Sequence, residues 1–259
     1  MFKQFQAEIS DLKEKGYCVL KKHFETKIIT ECRNAFCLIL SDYLKKFEHL
    51  PNRGFNRHFL PMPFESPCFA VEFFFDEDIL AILKILMGDK IVADQWGCDV
   101  ALPGCDYQNV HVDYQRPLFS EYPDLRLPPY ILIVSFGLMP INKQNGAIEI
   151  AAGTQNMRRE DAFKSVNNNT IQMETVSLDI GDVLIRHPWT LHRGTPNFTN
   201  IFRALVSIRY VRHWYIDNSR ETNSISQQRL NSLTQEERNV MRFPIKTTIA
   251  NPVKSLRTE

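Results

Sequence analysis

The chain has 259 residues, of which 44% are hydrophobic, and its 31 basic and 30 acidic side chains leave a net charge of +1. That balance gives no electrostatic basis for nucleic-acid binding as the main task, and no apolar run approaches the ~18 residues needed to span a membrane. The length suits one domain with a sizeable core, and residues 1–259 are read as a single unit with a polar C-terminal tail.

The opening MFKQFQAEISDLKEKGY is polar and helix-like rather than a secretory signal. Residues 4–15 read as a short amphipathic helix and 16–20 as a strand. A second helix is expected over 26–44, where Ile28, Ile29, Cys32, Phe36, Ile39 and Leu40 recur at helical spacing. Residues 52–58, NRGFNRH, form a polar stretch that reads as a flexible insertion and candidate lid. Phe73, Phe74 and Phe75 read as core. Glu77–Met87 reads as a helix ended by Gly88.

From Ile91 the character changes. Strands are expected at 91–102, 130–139, 147–151, 171–178, 183–186 and 203–211, separated by turn signals such as Pro103-Gly104, Asn145-Gly146 and Gly181-Asp182. Residues 224–242 are polar and read as partly helical. Helices first and strands later predict a mainly β protein with flanking helices, a jelly roll with a helical buttress. The six cysteines contain no CxxC pair and read as free, buried thiols, which points to a reducing, cytoplasmic setting.

The chemistry concentrates at His111-Val112-Asp113. Two residues apart on a strand, His111 and Asp113 point to one face. With His192 they make two imidazoles and a carboxylate, the facial set that leaves half of an iron(II) ion open. His187, five residues before His192, competes for the third position. Eleven residues after His192 comes Arg203, a rigid cation suited to clamping a carboxylate.

Several segments in order resemble the phytanoyl-CoA dioxygenase family of iron(II)/2-oxoglutarate-dependent oxygenases. They are LKEKGYCVLKKHF near the start, His111-Val112-Asp113-Tyr114, Asn145-Gly146-Ala147 with Ala152-Gly153-Thr154-Gln155, and Gly181-Asp182-Val183. His192-Arg193-Gly194, Pro196-Asn197, Arg203-Ala204-Leu205 and Arg209-Tyr210 complete the set. The resemblance spans about residues 5 to 212. Ala152 and Gln155 depart from the family's usual Pro and His, away from the metal ligands. The resemblance implies a double-stranded β-helix, cupin-like core. It also implies Fe(II) with 2-oxoglutarate and O2 as co-substrates, succinate and CO2 as co-products, and oxidation of a substrate C–H bond. Asp113 argues against halogenation, because relatives that halogenate have Gly or Ala there.

On this reading His111, Asp113 and His192 are the catalytic metal ligands and Arg203 pairs with the distal carboxylate of 2-oxoglutarate. Gln95, on a strand of unassigned register, and Tyr130 are further candidate co-substrate contacts. Arg209 shares Arg203's strand face and reads as a structural ion-pair partner. Tyr114, Arg116, Trp189 and Arg193 flank the triad and are candidate substrate contacts. Their positive excess predicts a small anionic metabolite or natural-product intermediate, hydroxylated or otherwise oxidised at a C–H bond. Oxidative dealkylation, desaturation or ring formation at the same iron is the alternative among reactions. A non-catalytic cupin-like metal- or ligand-binding protein is the alternative from another class. Neither a nucleic-acid nor a membrane partner is expected, and the oligomeric state is not readable from the chain.

Overall fold

The computed structural model describes residues 4–114, 118, 119, 121, 122, 125, 127–217 and 223–246. In chain order the elements are α1 (Gln6–Glu14), β1 (Tyr17–Leu20), α2 (Thr26–Phe47), β2 (Arg57–Pro61), α3 (Val71–Phe75), α4 (Glu77–Met87), β3 (Ile91–Ala101), β4 (Ile131–Gly137), β5 (Ile148–Ile150), α5 (Arg159–Asn167), β6 (Glu174–Val176), β7 (Val183–Arg186), β8 (His192–Gly194), β9 (Arg203–Arg212), α6 (Gln227–Asn231) and α7 (Gln235–Val240). A six-stranded sheet runs β1-β7-β4-β9-β3-β2, and a three-stranded sheet runs β6-β5-β8. All these pairings are antiparallel. The two sheets face one another as a jelly roll.

The period of two along each strand divides the large sheet into two chemically different faces. Trp96, Cys98 and Val100 of β3, Val206 and Ile208 of β9, and Val134 and Phe136 of β4 face the helices. They join Ile29, Cys32, Phe36, Phe73, Phe74, Ile79 and Ile82 in the main core. The alternate residues face the small sheet. Leu184 and Leu205 there meet Ile148, Ile150, Val176 and Leu178 in a second cluster. Asp99, Ser207, Ser135 and Arg186 share that inner face, where Ser135 and Ser207 hydroxyls bond at 2.9 Å. The strand β4 is buried throughout and, Ser135 apart, carries no polar side chain, because both of its faces are covered.

Helix α4 starts at Asp76, whose carboxylate accepts from the Ile79 N–H at 2.9 Å. The same oxygen sits 2.8 Å from His23 Nε2. That bond raises the His23 pKa, and, against the opposing effect of burial, His23 and the Ile79 N–H hold Asp76 below the usual carboxylate range. A histidine that binds its proton more tightly when folded stabilises the protein fully below about 6.5, the unfolded value. That contribution is lost as pH rises through the elevated folded value. The stability difference between wild type and His23→Gln is therefore expected to shrink from pH 6 to pH 8 on the order of a pKa-shift effect. Urea midpoints across that range check it, and a constant difference would remove the charged pair.

Three expectations change. The stretch 52–58 is only partly loop: residues 52–55 are exposed, but Arg57–Pro61 is the edge strand β2, paired with β3, and Arg57 and His58 are buried. The two basic side chains mask its strand pattern. Helix α5 goes unpredicted because only Ala162 and Val166 of it are buried, too few to show a stripe. The strand expected over 171–178 shrinks to Glu174–Val176. The expected helices, the Phe73 and Phe74 core, and the partly helical tail are all present.

Candidate metal centre

His192 opens β8 on the inner face, and residue 111 extends the small sheet beside it. Each backbone N–H donates to the other's carbonyl at 3.0 Å. This narrow pairing sets the two imidazole centroids 4.4 Å apart. Asp113, two residues on, is anchored by its N–H to the Pro188 carbonyl at 3.0 Å. One ligand atom from each of His111, Asp113 and His192 lies within 4.8 Å of the others.

The proton placement follows from the neighbours. His111 Nδ1 lies 2.7 Å from the Asn109 carbonyl and His192 Nδ1 lies 2.9 Å from the Thr190 carbonyl. A carbonyl only accepts, so both Nδ1 atoms carry the proton and both Nε2 atoms present lone pairs. Burial and the nearby Arg186 charge push the His192 pKa down, keeping the ring neutral. Burial would raise Asp113, but Arg186, His192 and His111 hold it well below the usual carboxylate range. Two neutral imidazoles and an ionised carboxylate converge, and that donor set fits a divalent transition metal.

His187 stands apart. Its Nδ1 accepts the Trp189 N–H at 3.2 Å, and burial pushes its pKa down to about 4. Its backbone N–H donates to the Gly16 carbonyl at 2.7 Å. Gly16 has φ +83°, and a Cβ there would collide with the Thr190 and Gln155 side chains, so glycine is required for this close approach.

Arg203 begins β9 on the inner face. It lies opposite Ala101, which lies opposite Arg57 on β2, so the two guanidiniums flank one strand on one face. Arg203 Nε donates to the Gly146 carbonyl at 2.9 Å and Nη1 to the Asp99 carbonyl at 3.0 Å. Burial, then the Arg57 charge, lowers the Arg203 pKa to about 10. Arg57 donates to the Asp106 and Thr195 carbonyls and is lowered by burial. Burial pushes the Asp99 carboxyl up against the pull of Arg203 and Arg53. Neither Arg57 nor Arg203 makes a salt bridge among the described residues. Asn197 holds the approach to β9, donating to the Ala101 and Ile201 carbonyls at 3.0 and 2.8 Å.

The other predicted contacts scatter. Gln95 pairs with Arg209, six positions along β3 from Ala101, or about 20 Å at a strand's rise. It does not reach the Arg203 end. Tyr130 precedes β4 at the far end, its ring centroid 5.0 Å from both Trp189 and Tyr215. Tyr114 is buried, and its hydroxyl accepts from Arg209 Nη1 at 2.7 Å. Arg193 points away from His192 across the pleat, paired with Glu149 at 2.8 Å and stacked over Tyr107 at 4.3 Å. Arg116 lies outside the described residues. A cavity of about 520 Å³ lies against the reverse side of the His111–Asp113 segment, lined by Val112, Tyr114, Leu127, His187, Trp189 and Leu191 among others.

Arg209 is structural. Its Nε binds Asp94 at 2.6 Å at the β3 bulge, its Nη1 lies 3.2 Å from Asp217, and Arg242 grips the other Asp94 oxygen at 2.7 Å. Breaking a buried pair from one side costs roughly 3–5 kcal/mol. Arg209→Met is expected to lose stability of that order in urea while folded protein keeps its metal affinity. Unchanged stability would dismiss the network.

Sequence reading passed over Arg186, took Arg57 only as part of the 52–58 stretch and Asp99 only as a member of the 91–102 strand. Their one signal is parity: each sits on the inner face of its strand, which is visible only once register is known.

The family model for phytanoyl-CoA dioxygenase (PhyH) matches residues 12–205. Among solved structures, AviO1 from Streptomyces viridochromogenes Tue57 is 14% identical, with TM-score 0.62 over 82% of this chain and 96% of that one. The epimerase SnoN in complex with Fe3+, alpha ketoglutarate and nogalamycin RO is 14% identical, with TM-score 0.61 over 88% and 98%. HygX from Streptomyces hygroscopicus, with nickel, 2-oxoglutarate and hygromycin B bound, is 15% identical, with TM-score 0.61 over 92% and 96%. At such identities the likeness is one of fold.

Proposed function

Because this chain belongs to the phytanoyl-CoA dioxygenase family, matched over residues 12–205, we propose that it is an iron(II)/2-oxoglutarate-dependent oxygenase of a small molecule. The observation that carries the reading is the convergence of His111, Asp113 and His192 with their protons already placed for ligation. These three residues would hold the metal, with Asn109 and Thr190 fixing the two rings. When bound, iron(II) supplies sites for a 2-oxo acid and O2 and the redox chemistry that joins them.

The protein's own residues do the rest. Arg203 is the clamp for the distal carboxylate of 2-oxoglutarate, and Arg57, across Ala101, adds a second buried cation. The Gly146 and Asp99 carbonyls hold the Arg203 fork in place, so little ordering remains when a carboxylate arrives. The substrate is a small molecule that would approach the open side of the triad; the cavity beside Val112, Tyr114 and Trp189 lies behind the ligands, and none of the three lines it. We infer an anionic group on that substrate from the positive excess read in the sequence; of the residues expected to meet it, Arg193 is paired with Glu149.

The reaction is oxidation of a substrate C–H bond, with hydroxylation as the leading outcome. A fold shared with an epimerase keeps other outcomes of the same chemistry in view, since the pose of the substrate decides which bond faces the metal. Succinate release from 2-oxoglutarate, with added iron(II) and ascorbate, tests the reading. Release above a metal-free control is expected, and none at any iron concentration would refute it.

A further inference from the structure

Arg186 ends β7 on the inner face, between Tyr17 of β1 and Ile133 of β4. Its Nη2 lies 2.7 Å from Asp113 Oδ2, with the Arg186 side chain 11% exposed. Its Nη1 is buried with no hydrogen-bond partner. An unpaired buried donor costs ~1–3 kcal/mol, so folding stability alone gives a poor reason for a guanidinium here. The other carboxylate oxygen, Oδ1, faces His192 Nε2 at 3.5 Å. The two oxygens of Asp113 therefore have different neighbours: one is held by a cation, and the other is turned toward the imidazole nitrogens.

We propose that Arg186 is a positioning residue that restricts Asp113 to a single metal-binding oxygen. The inference rests on the metal-centre reading above and goes beyond it. Coordination arithmetic gives the restriction its purpose. Two imidazoles and one carboxylate oxygen leave three positions of an octahedral ion. A 2-oxo acid bound through two atoms takes two, and one stays for O2. A carboxylate bound through both oxygens would take that last position. Arginine suits the task because it stays protonated and its planar fork fixes direction as well as charge. Outer contacts of this kind shape a ligand's geometry as well as its basicity.

The test compares wild type, Arg186→Met and Arg186→Lys as full-length protein, with folding checked by circular dichroism. Lysine keeps a charged donor of nearly the same reach for Oδ2. Two probes bypass turnover. One is the visible spectrum of the cobalt(II)-substituted protein, which reports coordination number. The other is nitric oxide, an O2 surrogate, added to the anaerobic iron(II)–2-oxoglutarate protein and quantified by electron paramagnetic resonance. Arg186→Met is expected to change the cobalt spectrum and weaken nitric oxide binding at least tenfold, with 2-oxoglutarate affinity within a few-fold of wild type. Arg186→Lys is expected to stay near wild type in both probes, and it carries the test if the methionine variant fails to fold. A folded lysine variant that lost the open position would overturn the proposal. So would a folded methionine variant with the wild-type cobalt spectrum and nitric oxide affinity. Failure of the wild type itself to bind iron(II) with 2-oxoglutarate would instead strike the metal-centre reading.

Discussion

Alanine at His192 or at His111 is expected to weaken iron(II) binding by more than about 100-fold, since even outer contacts to a metal ligand are worth ~10–100-fold. Each ring offers a lone pair only at Nε2, because Nδ1 is committed to a backbone carbonyl. Among the described residues, no other His, Cys, Asp or Glu joins the three ligands. His187 is the nearest histidine in sequence, but its Nδ1 is taken by the Trp189 N–H and its ring lines the cavity. His187→Gln should therefore keep iron binding and uncoupled succinate release within a few-fold, while His192→Gln loses both. Equilibrium metal titration of the four variants decides it. Wild-type affinity in His192→Gln, or its loss in His187→Gln, would reassign the third ligand.

The second large effect is expected at Arg203. Lysine there keeps a positive charge but gives up the planar fork, and one charge-assisted hydrogen bond is worth ~1.5–3 kcal/mol. At 1.4 kcal/mol per decade this is a rise of roughly 10- to 150-fold in the 2-oxoglutarate requirement. Metal affinity should stay near wild type, because Arg203 touches carbonyls of Gly146 and Asp99 rather than the triad. Arg57→Lys is expected to raise the requirement less, about several-fold, since Arg57 remains tied to the Asp106 and Thr195 carbonyls and acts beside the clamp. Separate measurement of KM for 2-oxoglutarate and of metal affinity checks both. An unchanged KM in Arg203→Lys would move the clamp elsewhere.

The triad was legible because its signal is local. His111 and Asp113 share a face by parity alone, and the NG turn and Asn197 that support Arg203 are strong turn and loop residues. The jelly roll was legible from the order of helices and strands. What sequence hid depends on register between strands far apart in the chain. Gln95 looked like a neighbour of the co-substrate until pairing with Arg209 set it about 20 Å from the Arg203 end. Arg57 looked like lid charge until pairing with Ala101 turned it inward beside Arg203. Arg193 looked like a mouth residue, but the pleat turns it away from its neighbour His192 and toward Glu149. Arg186 closes an apolar strand as an ordinary terminal charge, and only the fold brings Asp113 to within 2.7 Å of it.

Anaerobic titration of iron(II) and 2-oxoglutarate into the wild type and His111→Ala, followed by admission of oxygen, tests the central claim most directly. The wild type should bind one iron per chain, develop a visible absorption band only when 2-oxoglutarate is also present, and release succinate once oxygen enters. His111→Ala should do none of these. A wild type that binds no iron, or a His111→Ala variant that binds it and releases succinate as the wild type does, would contradict the assignment.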